Sequence, residues 1–172
     1  ITNLVPLSRL DEEDPFPVRT EFSLSDELWE ISEPFVSLAQ AKGKTYTQDI
    51  ADGLTVTGDR TAIQQMISIL LDNALKYSPQ GGKLALKLEK QGRNVLLTVS
   101  NTTAQPMERD KLSHLFDRFY RTDQSRSSQT GGYGLGLSIA QAIVREHKGT
   151  IRCESDRRST RFIVTLPAGG RK

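Results

Sequence analysis

Asn73, Lys76 and Tyr77 stand at i, i+3 and i+4, a spacing that puts them on one face of a helix. An amide oxygen can complete the shell of a magnesium ion, an ammonium can neutralise a phosphate, and a phenol ring can lie against a base. Further along, Gly131, Gly132, Gly134 and Gly136 precede Leu137, Ile139, Ala140, Ile143 and Val144, an apolar set at helical spacing. Glycines let a backbone approach a ligand closely. The helix they open offers free amides and the positive end of its dipole to an anion, with phosphate the natural guest. Before the glycines, residues 122–130 hold only Asp, Gln, Ser, Arg and Thr. A stretch that buries nothing apolar is expected to act as a lid ordered by what it covers. The three features together predict a nucleotide pocket.

Two other glycine motifs do not fit. A dinucleotide fingerprint needs a third glycine where Ile139 stands and a strand where the polar loop lies, and a Walker loop needs Gly-Lys-Ser/Thr where Gly136 is followed by Leu137. Each feature taken alone also has a plainer reading, the trio as a solvated helix face with Tyr77 packing at its end, the glycines as a linker. Their co-occurrence favours the pocket.

The elements that must position these residues follow from periodicity. Leu112, Leu115, Phe116 and Phe119 recur at helical steps, which predicts a helix anchored by one apolar face with Arg118 and Arg121 projecting elsewhere. Ile63, Met66, Ile67, Leu70 and Ala74 form a continuous stripe behind a Gly58-Asp59 cap, giving a helix up to Pro79 that carries Asn73. Ahead of it, residues 21–24 read as a short strand. Ser25 reads as the N-cap of a helix to about Ala41, with Leu28, Ile31, Phe35, Leu38 and Ala39 buried and Pro34 kinking it. Residues 45–50 and 54–57 alternate around Asp52-Gly53 and predict a hairpin. Residues 83–89 and 95–99 predict an antiparallel pair, 101–106 a loop, 150–154 and 161–166 two last strands, and 167–172 a tail. Helices interleaved with strands that pair as neighbours give an α/β fold, a two-layer sandwich of one mixed, mostly antiparallel sheet packed under helices.

At 172 residues the chain is one domain with a short appendage. Lys and Arg number 23 against 21 Asp and Glu, a net charge of +2 that gives no field for nucleic acid. Cys153 is the single cysteine, so there is no internal disulfide, and with two histidines a zinc site is not expected. No apolar run reaches the ~20 residues of a membrane span, so a soluble fragment is expected. Because it begins at Ile1 rather than methionine, the reading allows for a longer parent.

The ordered segments DNALKYSP, LFDRFYRTDQSRS, GGYGLGLSIA and IVREHKGTI resemble, from about Leu7 onward, the catalytic ATP-binding domain of bacterial sensor histidine kinases. The resemblance implies a Bergerat-type sandwich with ATP and Mg²⁺ as cofactors. It implies Asn73 on the metal, Lys76 on phosphate and Tyr77 beside adenine, with Phe116 and Phe119 as the phenylalanine box. Arg118 and Arg121 become lid-side arginines that meet the phosphates or the acceptor domain, and Gly132, Gly134, Leu135, Gly136 and Leu137 the second glycine box around the phosphates. The implied partners are the protein's own dimerisation and phosphoacceptor domain and a response regulator receiver. The fragment would be a monomeric cytoplasmic domain of a homodimeric parent anchored in the membrane. Residues 1–19 then end the dimerisation helix and its linker, 20–168 form the catalytic domain, and 169–172 a flexible tail.

Three departures from the family pattern stand out. Asn101 occupies the place of the aspartate that accepts from the adenine amino group, keeping an acceptor but losing the charge, and no glycine follows it nearby. Ile69 stands where the kinases often place a polar residue and where the related ATP-hydrolysing proteins place a glutamate base, so transfer is favoured over hydrolysis. Asp156 to Thr160 replaces a glycine-containing turn. His114 and His147 sit in no phosphoacceptor-like segment, so the acceptor is expected on another domain. The rival reading is a non-catalytic pseudokinase binding module of the same fold.

Overall fold

The computed structural model describes residues 19–117 and 133–169. In chain order these form β1 (Thr20–Ser23), α1 (Leu24–Ala41), β2 (Thr45–Ile50), β3 (Thr55–Gly58), α2 (Arg60–Tyr77), β4 (Lys83–Gln91), β5 (Asn94–Thr102), α3 (Arg109–Ser113), α4 (Tyr133–Glu146), β6 (Thr150–Ser155) and β7 (Ser159–Pro167). A five-stranded sheet runs in the order β2-β4-β5-β7-β6, all antiparallel except the β2–β4 pair, and β1 and β3 make a separate two-stranded sheet. The expected two-layer sandwich is therefore present.

One sheet face is apolar because alternate residues of three adjacent strands are in register. Leu86 lies opposite Val99 and Val99 opposite Phe162, Leu88 opposite Leu97 and Leu97 opposite Val164, and all are buried. Upon this face α2 lays the predicted stripe, Ile63, Met66, Ile67, Leu70 and Ala74, and α4 lays Leu137, Ala140, Ile143 and Val144. Asp59 caps α2 by accepting from the Ala62 amide.

The hairpin expected over 45–57 does not form. Gly53 turns the chain at φ 75°, but β2 then pairs in parallel with β4 while β3 pairs with β1. A turn reverses a chain without choosing its partner, and β4 offers the buried row Leu84, Leu86 and Leu88 where β3 buries Val56 alone among its apolar residues. The α1 cap is Ser23, whose side chain accepts from the Asp26 amide, not Ser25. Ser25 lies inside the helix and bridges the Ala51 carbonyl and the Leu54 amide. Leu38 is exposed and Ile31 and Phe35 are only partly buried, so the buried face of α1 is narrower than expected. Asn101 and Thr102 extend β5 into the predicted loop, and Pro167 ends β7 rather than starting a tail. Beyond it, the Ala168 and Gly169 amides donate to the carbonyls of Arg93 and Thr55.

Candidate nucleotide site

Near the C-terminal end of α2, burial grades across the predicted trio. Asn73 is 8% exposed, Tyr77 41%, and Lys76 is half-exposed. The Asn73 side-chain nitrogen is buried without a hydrogen-bond partner. Leaving a buried polar group unpaired costs about 1–3 kcal/mol, so such an amide is suited to a ligand that the folded chain does not itself supply. A half-turn about its terminal bond presents the oxygen instead, and one protein oxygen with water and phosphate oxygens is a normal magnesium shell. The residue fits the ion on these grounds. Lys76 pairs with Asp72 at 3.2 Å, an exposed i,i+4 contact. Such a pair contributes only about 0.3–0.5 kcal/mol, weak enough for a phosphate to compete for the ammonium.

One turn before Asn73 lies Ile69, and a side-chain carbon built on Gly136 would sit 3.7 Å from its Cγ2. Ile69 and Asn73 are ~6 Å apart along the axis, so the glycine-opened end of α4 packs against α2 one turn before the asparagine. The structure thus places Asn73, Lys76 and Tyr77 at the C-terminal end of α2 and the first turn of α4 against Ile69 one turn earlier. Arg118, Arg121, Gly132 and the expected lid at 122–130 lie outside the described residues, as does Phe119, while Gly134 and Leu135 enter only as backbone of α4.

Asn101 is buried on the helix-facing side of β5, its side-chain amide donating to the Thr102 carbonyl at 2.9 Å. That bond leaves its oxygen as the acceptor. By register it stands opposite Leu84 on one side and Thr160 on the other. Buried Thr160 in turn shares a hydrogen bond with Ser155, which accepts from the Met107 amide. The apolar face therefore ends in a polar row, Asn101, Thr160 and Ser155. Its last member ties down the segment leading to α3, a helix that stops at Ser113 instead of running on through Phe116 as expected; in the turn after it Leu115 is buried and Phe116 meets the Phe162 ring edge-on at 6.1 Å. In the last sheet turn, where the family has glycines, Asp156 accepts from the amides of Arg158 and Ser159. These bonds hold its carboxyl below the ordinary aspartate range.

His114 is exposed, and its hydrogen bond to Asp117 raises its pKa. His147 is buried at the end of α4, where its Nε2 accepts from the Asp59 amide at 3.0 Å. Its Nδ1 must then carry the proton donated to the Ile143 carbonyl at 2.8 Å. Sequence reasoning missed this link, and also Lys44, whose ammonium donates to the Leu75 and Ser78 carbonyls at 2.6 and 2.9 Å. A lysine after a helix-ending glycine carries no mark of either contact. Among the described residues no group of three or more His, Cys, Asp or Glu could hold a metal, and no helix is long and apolar enough to cross a membrane.

A two-layer sandwich with a buried asparagine facing a glycine-opened helix defines a nucleotide-binding domain, and the comparisons agree. Residues 58–170 match the family described as histidine kinase-, DNA gyrase B- and HSP90-like ATPase, and the chain belongs to that family. Within it, the chain is 35% identical over 168 residues to the sensor histidine kinase CusS of Escherichia coli K12, covering 98% of this chain and 35% of that protein. It is 35% identical over 170 residues to the sensor protein DltS of Streptococcus agalactiae, covering 99% of this chain and 42% of the relative. Among solved structures, the catalytic domain of the histidine kinase ThkA superposes with a TM-score of 0.76 at 28% identity, over 87% of this chain and 95% of that one. The chain spans little more than a third of the length of the sensor kinases it matches, and it is the ATP-binding catalytic domain of the histidine kinase type.

Proposed function

We propose that this domain, comprising residues 20–168, binds Mg²⁺-ATP between α2 and the N-terminus of α4 and passes the γ-phosphoryl group to a histidine on an adjoining dimerisation domain. A response regulator receiver would then be the next acceptor, in a homodimeric parent anchored in the membrane. The observation that carries the reading is the buried, unpaired Asn73 side-chain nitrogen, one turn beyond the Ile69 that meets Gly136. Asn73 would hold the magnesium, which when bound supplies charge neutralisation at the phosphates. Lys76 leaves Asp72 for a phosphate oxygen, and Tyr77 packs beside adenine. Asn101 accepts from the adenine amino group, while Gly132, Gly134, Leu135, Gly136 and Leu137 wrap the phosphates and Arg118 and Arg121 close on them. No carboxylate occupies the Ile69 position to activate water, which favours positioning for transfer over hydrolysis. Nothing in the fold or the relatives favours the non-catalytic binding module.

The test is to incubate the chain with Mg²⁺, labelled ATP and the dimerisation domain of the same protein. Acid-labile phosphate is expected on the dimerisation domain and none on His114 or His147. Asn73→Ala should lower the transfer on the order of a hundredfold or more and abolish the metal dependence of binding. ATP bound tightly with no transfer would instead support the binding module.

A further inference from the structure

We infer that Lys44 is a positioning residue for the nucleotide site, holding the last turn of α2 in the geometry that Lys76 and Tyr77 need; this rests on the nucleotide reading above. Its ammonium donates to the carbonyls of Leu75 and Ser78, which bracket Lys76 and Tyr77 in the chain. One charged group therefore fixes the backbone before and after that dipeptide. At the same end of α2 the Ser78 amide returns to the Ala74 carbonyl, and the Ser78 hydroxyl reaches Leu75 at a longer 3.3 Å.

Lys44 is itself held from several directions. Its amide donates to the Ala39 carbonyl, the next amide, of Thr45, donates to Gly82, and the Gln80 side chain returns to the Lys42 carbonyl. Gly43, at φ 73°, makes the turn, with Gln80 Nε2 only 2.7 Å from where a side-chain carbon would stand. The ammonium thus projects from a braced loop.

Charge adds a second reason. A helix C-terminus carries the equivalent of about half a negative charge within its last turn, and Asn73 and Lys76 lie in or next to that turn. A polyphosphate brought there meets repulsion, which an ammonium bonded to the terminal carbonyls cancels from behind. Burial and the nearby charge of Lys42 lower the pKa of Lys44.

The test measures Mg²⁺-AMPPNP affinity by calorimetry on the whole chain. Lys44→Met is expected to weaken binding at least fivefold, and Lys44→Arg, which can also donate to two carbonyls, to stay within twofold of wild type. In Lys44→Met, hydrogen exchange should accelerate at least tenfold at Tyr77 and Ser78 while β5 amides keep their rates. Lys44→Gln, a neutral donor, should fall between the two, and its ratio to Lys44→Arg gives the same reading if the methionine variant does not fold. Affinity within twofold of wild type in both neutral variants overturns the inference. So does a loss that arginine fails to restore, or one accompanied by faster exchange throughout β5, which marks a merely structural lysine. If the wild-type chain does not bind Mg²⁺-AMPPNP, the nucleotide reading falls and this role with it.

Discussion

At the scale of single residues, the protein separates groups poised for chemistry from groups that only look reactive. Cys153 is the clearest of the second kind. Its half-buried thiol has a pKa pushed up to about 12 by burial, so the thiolate, the reactive form, is scarce at neutral pH. An aromatic disulfide reagent at pH 8 should therefore modify the native chain on the order of a thousandfold more slowly than the chain in denaturant. Equal rates would show that the side chain is not shielded as placed. Asn73 is the opposite case, a buried amide whose nitrogen is left unpaired. Asn101 lies between them, with one bond satisfied within the chain and one oxygen left to accept.

Among the elements, α2 decides most, because it is held at both ends by residues from elsewhere in the chain. Lys44 fastens its C-terminus, and at the N-terminus the buried His147 of the α4 end accepts from the Asp59 amide. Gly58 is what lets that second contact form, since a side-chain carbon there would fall 2.1 Å from His147 Cδ2. Gly58→Ala should accordingly destabilise the domain by about 1–3 kcal/mol through overpacking. Adding His147→Ala should recover much of that loss in a double-mutant cycle, measured by urea unfolding. Strict additivity of the two substitutions would mean that the glycine serves some other neighbour.

For the whole molecule, the order β2-β4-β5-β7-β6 places β4, β5 and β7 inside the sheet and leaves β2 and β6 on its edges. The inner strands carry the apolar face under α2 and α4, whereas β2 alternates exposed and half-buried residues until Ile50. Native-state hydrogen exchange should find the slowest amides in β4, β5 and β7, with β2 and β6 opening at lower free energy. Protection of β2 equal to that of β5 would contradict this ranking.

The long helices were legible in the sequence because their signals are local, whereas the one expected through Leu115 and Phe116 is a single short turn of helix ending at Ser113. The stripe from Ile63 to Ala74, the Asp59 cap and the apolar set after Gly136 state their structure within a few turns, and the i, i+3, i+4 spacing of Asn73, Lys76 and Tyr77 states their shared face. Strand existence was legible from alternation, and the β4–β5 pairing from its two-residue turn. Partnership over longer range was not. Whether β2 joins β3 or β4 depends on which apolar row is available to it, a property of the assembled sheet rather than of Asp52-Gly53. The same holds for contacts between residues far apart in the chain. That Lys44 reaches Leu75 and Ser78, that His147 receives the Asp59 amide, and that Thr160 stands beside Asn101 were decided only when the helices docked and the strands registered. These contacts depend on relative position across the fold, which composition and spacing along one segment do not encode.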